Sequence, residues 1–331
     1  MNVAVAILNW NGTELLKEYL PSVVRYSPEA TIYVADNAST DDSVAYIKDN
    51  FPQVRLIINN TNSGYAGGYN EALKEVEEEL FVLLNNDVAV TENWLSPIIE
   101  AFKNNTTLGA AQPKILDHKR PEWFEYAGAA GGFIDKYAYP YCRGRIFSTL
   151  EKDEGQYNDV VEIFWATGAC LFIRKQAFWD VGGFDNHFFA HQEEIDLCWR
   201  LHSAGYTINY IGTSRVYHLG GGTLDSLNPK KTFYNFRNTL LLLVKNRKGM
   251  GVWWLIFKRM LLDGIAGLQF LFQGKFAHLW AICKAHFSFY GLLPTFLKKR
   301  KKYASDISYF RIRSAVWNYF ILKITYFNNR Y

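Results

Sequence analysis

The sequence predicts an α/β fold on a mainly parallel sheet, followed by a helical region of different chemical character. Three observations lead there. Short apolar runs alternate with longer amphipathic ones over the first 116 residues, polar residues follow each apolar run, and charge is split sharply along the chain. Strands alternating with helices of this length imply βαβ units joined by right-handed crossovers.

The strand segments are 3–8, 31–35, 54–59, 80–84 and 110–115, and the helical patterns are 14–26, 42–49, 69–79 and 93–103. The first apolar run has no basic flank, and Asn9, Asn11 and Glu14 end it too early for a signal peptide or a membrane span. It therefore reads as a buried first strand. Residues 117–160 are irregular and rich in Gly, Tyr and charge, a long loop of the kind that is usually functional or mobile. Segments 161–164 and 169–173 resume strand character around Ala166-Thr167-Gly168. Residues 193–204 read as a helix, with Gly205 placed to end it. Composition changes after His218-Leu-Gly-Gly-Gly-Thr223, which sets a boundary near 225 between one domain at 1–225 and a helical region at 226–331.

A chain of 331 residues, 49% hydrophobic and 17% aromatic, can bury a large core. Its net charge of +4 conceals an asymmetry. Residues 230–331 hold 19 Lys and Arg against two acids, a balance of +17, whereas residues 1–229 carry −13. A basic segment of this kind meets a polyanion. Its aromatic runs, such as Trp253-Trp254-Leu255-Ile256-Phe257, alternate with Lys and Arg and never reach the roughly 20 apolar residues that span a bilayer. This pattern fits helices lying in a membrane interface, where each basic residue near an anionic leaflet adds about 1 kcal/mol. An anionic membrane surface is thus the expected partner. Nucleic acid is not, because no recognised binding fold accompanies the charge. Cys142, Cys170, Cys198 and Cys283 show no paired spacing, which excludes a disulfide framework and a structural zinc site and favours a reducing compartment. The expected place is the cytoplasm, peripheral on the inner face of the cell membrane.

In open α/β sheets ligands sit at the carboxyl ends of the strands, so the residues just past each strand carry the chemistry. Leu83-Leu84-Asn85-Asn86-Asp87 places a carboxylate where a divalent ion and a diphosphate can meet. Mg²⁺ and Mn²⁺ take oxygen ligands and often keep only one or two protein carboxylates. The alternative is an Asn-Asp turn that merely ends a strand. Asp36 closes the second strand and can accept hydrogen bonds from a ribose or a base edge. Asp41 and Asp42 read instead as helix-start residues. Asn62-Ser63-Gly64-Tyr65-Ala66-Gly67-Gly68 opens a helix with glycines that allow close approach to a phosphate, although it matches neither a dinucleotide fingerprint nor a P-loop. Glu193, Glu194 and Asp196 crowd the first turn of a helix. They serve its dipole, or one of them deprotonates an acceptor hydroxyl. His218 ends a strand and leads into a glycine-rich loop that could fold over phosphates.

Taken in order, these segments resemble glycosyltransferase family two, the inverting enzymes of GT-A fold, and within it the rhamnosyltransferase-like bacterial members. The resemblance covers about residues 2–225. It rests on I-L-N-W-N-G, V-A-D-N-A-S-T-D-D-S, N-S-G-Y-A-G-G-Y-N, L-L-N-N-D-V, and G-G-F-D with E-E-I-D-L-C-W-R. It implies a GT-A nucleotide-sugar-binding domain that moves a sugar from a nucleotide-diphosphate donor to a glycan or lipid-linked acceptor in surface polysaccharide synthesis, with Mn²⁺ or Mg²⁺. By the same resemblance Asn9, Asn11, Asp36, Asn62, Gly64, Asn85 and Asn86 bind the nucleotide sugar. Asp87 and His218 hold the metal, Trp165, Thr167 and Gly168 line the acceptor side, and Glu194, with Glu193 as its rival, is the general base. Asn85 departs from the family's D-x-D by standing where its first Asp does. Two other readings are weighed. A sugar nucleotidyltransferase would carry a G-x-G-T-R loop after the first strand, which Asn9-Trp10-Asn11-Gly12 does not match. A catalytically silent binding scaffold need not keep Asp87, Glu193, Glu194 and His218.

Overall fold

A computed structural model describes residues 1–220, 228–327 and 331. The chain opens with β1 (Val3–Asn9), α1 (Thr13–Tyr26), β2 (Ala30–Asp36), α2 (Ser43–Asn50), β3 (Arg55–Ile58), α3 (Gly64–Ala72), β4 (Leu80–Asn85), β5 (Val88–Val90), α4 (Ser96–Asn104) and β6 (Leu108–Asp117). The expected strands and helices are therefore present, with one helix displaced. The pattern read as 69–79 is α3, which starts at Gly64 and ends at Ala72 before a short 3₁₀ turn. Gly67 and Gly68 have low helix propensity, which hid the first turn from a reading by periodicity.

A nine-stranded sheet runs in the order β11-β13-β6-β12-β4-β1-β2-β3, with β5 paired to β13; here β11 is Val160–Glu162, β12 Cys170–Arg174 and β13 Thr207–His218. The β3-β2-β1-β4 half is parallel. Beyond it β12 runs antiparallel to both β4 and β6, so the sheet as a whole is mixed. Alternation along β1 divides the core. Val3, Val5 and Ile7 meet α1 and α4, whereas Ala4 and Ala6 face the layer that holds Tyr69 of α3 and Phe178 of α5 (Lys175–Asp180).

The segment expected as a long loop holds a second, four-stranded antiparallel sheet, β10-β9-β8-β7. Its strands, β7 (Gly132–Ile134), β8 (Pro140–Cys142), β9 (Arg145–Ile146) and β10 (Thr149–Leu150), are two or three residues long. Elements so short leave no periodic signal. After α6 (Glu193–Ser203) and β13 come three long helices, α7 (Pro229–Asn246), α8 (Gly251–Phe272) and α9 (Phe276–Tyr303). The expected boundary near 225 and the glycine-rich residues Gly221, Gly222 and Thr223 lie outside the described residues. Leu240–Val244 of α7 is buried in the same core cluster as β4 and α6. No described helix is long and apolar enough to cross a membrane.

Candidate active site

Parallel register sets Asn9 beside Asp36, and Leu8 beside Asn85, so three polar residues stand together at the carboxyl ends of β1, β2 and β4. The Asn9 amide donates to Asp36 Oδ2 at 3.3 Å and its carbonyl accepts from the Asn86 amide at 2.9 Å. Asp36 Oδ1 accepts the Ser39 backbone N–H, and Asn11 Oδ1 accepts that of Thr40. Asn9 and Asp36 are buried, so they shape this edge from beneath, whereas Asn11 and Asn62 are exposed on its rim. Asn37, which the sequence reading did not single out, is buried and ties the rim together. Its amide donates to Asn62 Oδ1 and to the Gly64 carbonyl. Gly64 has φ +73, and a Cβ there would lie 2.7 Å from Phe189, so only glycine fits.

Asp87 and His218 are brought together by the β5–β13 pairing, which sets His218 opposite Val88. Both are buried, with His218 Nε2 3.1 Å from Asp87 Oδ1 and the Asn85 amide 3.5 Å from the same ring nitrogen. On the far side of the ring, Nδ1 lies 3.2 Å from Glu125 Oε2. Burial opposes a charge on His218, but the two carboxylates outweigh it and raise the imidazole to about 10. Glu125 comes from the irregular segment, where no sequence signal marked it. Gly220 passes so close that a Cβ would meet Glu125 Oε1 at 2.7 Å.

These residues fit a divalent ion. Nε2 and Oδ1 stand 3.1 Å apart as an ion pair, and adjacent ligands of an octahedral ion with bonds of about 2.1 Å stand about 3 Å apart, so an ion would take the place of the imidazole proton. Glu125, 3.2 Å from Nδ1, stands where metal-bound imidazoles usually have a carboxylate. Among the described residues, no group of three His, Cys, Asp or Glu side chains converges as a metal site. Water and substrate phosphates would therefore complete the shell, as Mg²⁺ and Mn²⁺ sites allow.

The second cluster is linked to the first through the backbone strip of Gly168 and Ala169 and the Tyr65 side chain. The Ala169 carbonyl accepts the Asn85 N–H at 3.0 Å, and the Gly168 carbonyl accepts the Tyr65 hydroxyl at 2.8 Å. Tyr65 in turn feels burial first, then Tyr69, Glu193 and Glu194, all of which push its phenol well up. Glu193 is buried and Glu194 half-buried, each with one carboxylate oxygen that has no hydrogen-bond partner. Burial raises both acids, Glu194 to about 7 and Glu193 well above its usual range with the Glu194 charge as second cause. Thr167 is buried and held by Gln112, whose Oε1 accepts its N–H. The Trp165 indole is also buried, donating to the Phe133 carbonyl, and supports the strip from behind.

Asp196, one of the first-turn acids, is buried with Arg200 against α7. Asp196 meets Arg200 Nε at 2.9 Å, Lys245 Nζ at 2.7 Å and the Asn246 amide at 2.8 Å. Lys245 also meets Asp185 of the G-G-F-D segment at 2.8 Å. Between Asp185 and α6 the backbone turns through Phe189 (φ 63), His191 (φ 67) and Gln192 (φ 74), left-handed conformations that cost on the order of 1–3 kcal/mol each. Fully buried Asn238 of α7 holds this turn, its amide nitrogen within hydrogen-bond distance of the Phe188, Ala190 and His191 carbonyls. Asn238→Ala should lower turnover by about tenfold or more with little change in donor affinity, since the turn that leads into Glu193 and Glu194 loses its support. Steady-state kinetics beside donor titration checks this.

Residues 4–182, more than half of the chain, match the model of Glycosyl transferase family 2. The chain belongs to that family. This family 2 glycosyltransferase is 25% identical over 256 residues to N-acetylglucosaminyl-diphospho-decaprenol L-rhamnosyltransferase of Mycobacterium tuberculosis, covering 72% of this chain and 81% of that one. It is 31% identical over 187 residues to rhamnosyltransferase WbbL of Escherichia coli K12, 56% of this chain and 70% of that one. Among solved structures, GalNAc-T7 with UDP, GalNAc and Mn²⁺ aligns with a TM-score of 0.59 at 16% identity. That match covers 74% of this chain and only 48% of the GalNAc-T7 chain. Mannosyltransferase PcManGT of Pyrobaculum calidifontis, with GDP-Man and Mn²⁺, gives 0.52 at 14% identity over 88% of this chain and 75% of that one. These likenesses establish the GT-A-like fold expected from the sequence.

Proposed function

We propose that this glycosyltransferase moves a sugar from a nucleoside-diphosphate donor to a hydroxyl of a glycan or lipid-linked glycan, with inversion, in a single displacement assisted by Mn²⁺ or Mg²⁺. The observation that carries the reading is the pairing of two polar clusters across the Gly168–Ala169 strip, Asp87 with His218 on one side and Glu193 with Glu194 on the other. Likeness to the two rhamnosyltransferases supports a rhamnosyl donor and a role in surface polysaccharide synthesis, and the decaprenol-linked acceptor in one of their names supports a lipid-linked acceptor here.

Asp87 and His218 would hold the ion, and Asn85 stands beside them where its amide can meet a donor oxygen or a water. When bound, the ion supplies Lewis-acid and electrostatic stabilisation for charge on the departing diphosphate. Burial and the Glu194 charge hold Glu193 well above the usual carboxylate range, so Glu194, the less strongly raised of the pair, takes the acceptor proton. Asn11 and Asn62 on the exposed rim, with Gly64, border the nucleoside, while Asn9, Asp36 and Asn86 fix the floor beneath it. Thr167 and Gly168, backed by Trp165, border the acceptor. The catalytic unit expected at 1–225 extends through α7, which packs in the same core and holds the turn before Glu193, and the helices beyond α7 hold it peripherally on the cytoplasmic face of the membrane.

Transfer assays with dTDP-, UDP- and GDP-linked sugars, with Mn²⁺, Mg²⁺ or EDTA, test the proposal. One donor should be consumed only with metal, the product anomer should be inverted by NMR, and Asp87→Ala should lower kcat/KM by about 10²-fold or more. Full turnover in EDTA, or a retained anomer, would contradict it.

A further inference from the structure

The helices α8 and α9 carry an apolar stripe that is exposed among the described residues. On α8, Trp254, Phe257, Leu261, Ile265, Leu268 and Phe272 are all exposed, Phe272 by 87%. At about 100° per residue these six fall within roughly 80° of one another, opposite the buried face that holds Leu255, Arg259 and Asp263, and they run for about 27 Å. On α9 the exposed Phe276, Trp280, Phe287, Tyr290 and Leu297 repeat the pattern at spacings of three, four and seven. The helices pack on each other through Gly267, which meets Leu279 and Ile282, and through the Asp263–His286 contact. Counted from that contact line at about 100° per residue, the offsets bring both stripes to one side of the antiparallel hairpin. A continuous exposed apolar face of this extent marks an interaction surface.

Charge decides what covers it. Lys258, Lys275, Lys284, Lys298, Lys301 and Lys302 are exposed along the hairpin. Its one acid, Asp263, is buried against Arg259 and His286. A second copy docked on this face would set lysines against lysines, whereas an anionic bilayer would neutralise them. We propose that the outer face of the α8–α9 hairpin lies in the headgroup region of an anionic membrane, its axes parallel to the surface. The proposal deepens the peripheral placement above and rests on it.

Co-sedimentation of the full chain with phosphatidylcholine vesicles, with and without phosphatidylglycerol, tests it in the absence of donor and acceptor. The expected result is binding that needs phosphatidylglycerol and is lost in Leu261→Glu/Ile265→Glu. Lys258→Ala/Lys284→Ala/Lys298→Ala should weaken it by about 100-fold. Circular dichroism and donor turnover with a soluble acceptor should be unchanged in both variants, since none of these residues lies in the site. Equal binding by the Leu261/Ile265 variant would overturn this face while leaving peripheral placement intact. A wild-type dimer that ignores vesicles and becomes monomeric in that variant would assign the face to a second copy. A monomer that binds neither vesicle would overturn both the face and the placement.

Discussion

Glu194→Gln lowers kcat by about 10²- to 10⁴-fold, the usual scale for a general base, while donor affinity stays close to wild type. Burial is what makes the residue suitable. It raises Glu194 to about 7, so the carboxylate is basic enough to draw a hydroxyl proton yet largely ionised at slightly alkaline pH. The wild-type kcat/KM profile should accordingly rise with pH through about 7 and level off above it, and the variant should lose that limb. Glu193→Gln should leave that limb in place near 7, because burial and not the neighbouring carboxyl raises Glu194. The same burial opposes stability. A carboxyl whose folded pKa exceeds its ordinary value of 4.5 loses stability as pH rises from there to the folded pKa. Glu194→Gln should therefore raise Tm at pH 8 and leave it unchanged at pH 4, which thermal unfolding at the two pH values will show. An inactive variant with higher Tm separates loss of chemistry from loss of fold.

Lys245→Met destabilises the fold by about 3 kcal/mol, at the low end for breaking a buried ion pair because Lys299 still meets Asp185 and Arg200 still meets Asp196. For a chain of this size that corresponds to a fall in Tm on the order of 6 °C. The sign of its pH dependence is set by the acids. Burial alone would raise Asp185, but Lys245 and Lys299 overcome it and hold the carboxyl far below its ordinary value of 3.8. That contribution is present above pH 3.8 and is lost as pH falls toward the depressed folded pKa. Without Lys245 the acids can protonate, so the deficit should narrow as pH falls through 4. Differential scanning calorimetry across pH 3–8 measures both effects (given about two-state unfolding).

The fold was legible where residues act locally. The βαβ rhythm located β1–β4 and β6 because each is a short apolar run closed by polar residues, and the exposed apolar positions of α8 were visible as Trp and Phe interspersed with Lys. The end-of-strand reading picked Asp36, Asp87 and His218 for the same reason, since position at a strand's carboxyl edge is a property of sequence order. Long-range partners were not legible. Glu125 reaches His218 only because the chain returns beside β6, and no spacing records that. Asp196 was one of three acids that could serve as base, but buried Lys245 ties it and Asp185 together as anchors for α7. A signal existed there: Asn238 and Lys245 bracket the apolar run Thr239–Val244, and a polar group placed so has a buried partner. The left-handed turn at Phe189, His191 and Gln192 breaks local preference and is held from outside by Asn238. Strain of this kind beside reacting groups is where local reasoning fails.

The most direct test of the two-cluster site is donor titration by calorimetry, run beside single-turnover transfer for wild type, Asp87→Ala and Glu194→Gln in Mn²⁺. The expected result is a clean division: Asp87→Ala loses the metal-dependent part of donor binding, whereas Glu194→Gln binds donor normally and fails to transfer. Normal donor binding and transfer in Asp87→Ala, or undiminished transfer in Glu194→Gln, would contradict the assignment of metal and base to opposite sides of the Gly168–Ala169 strip.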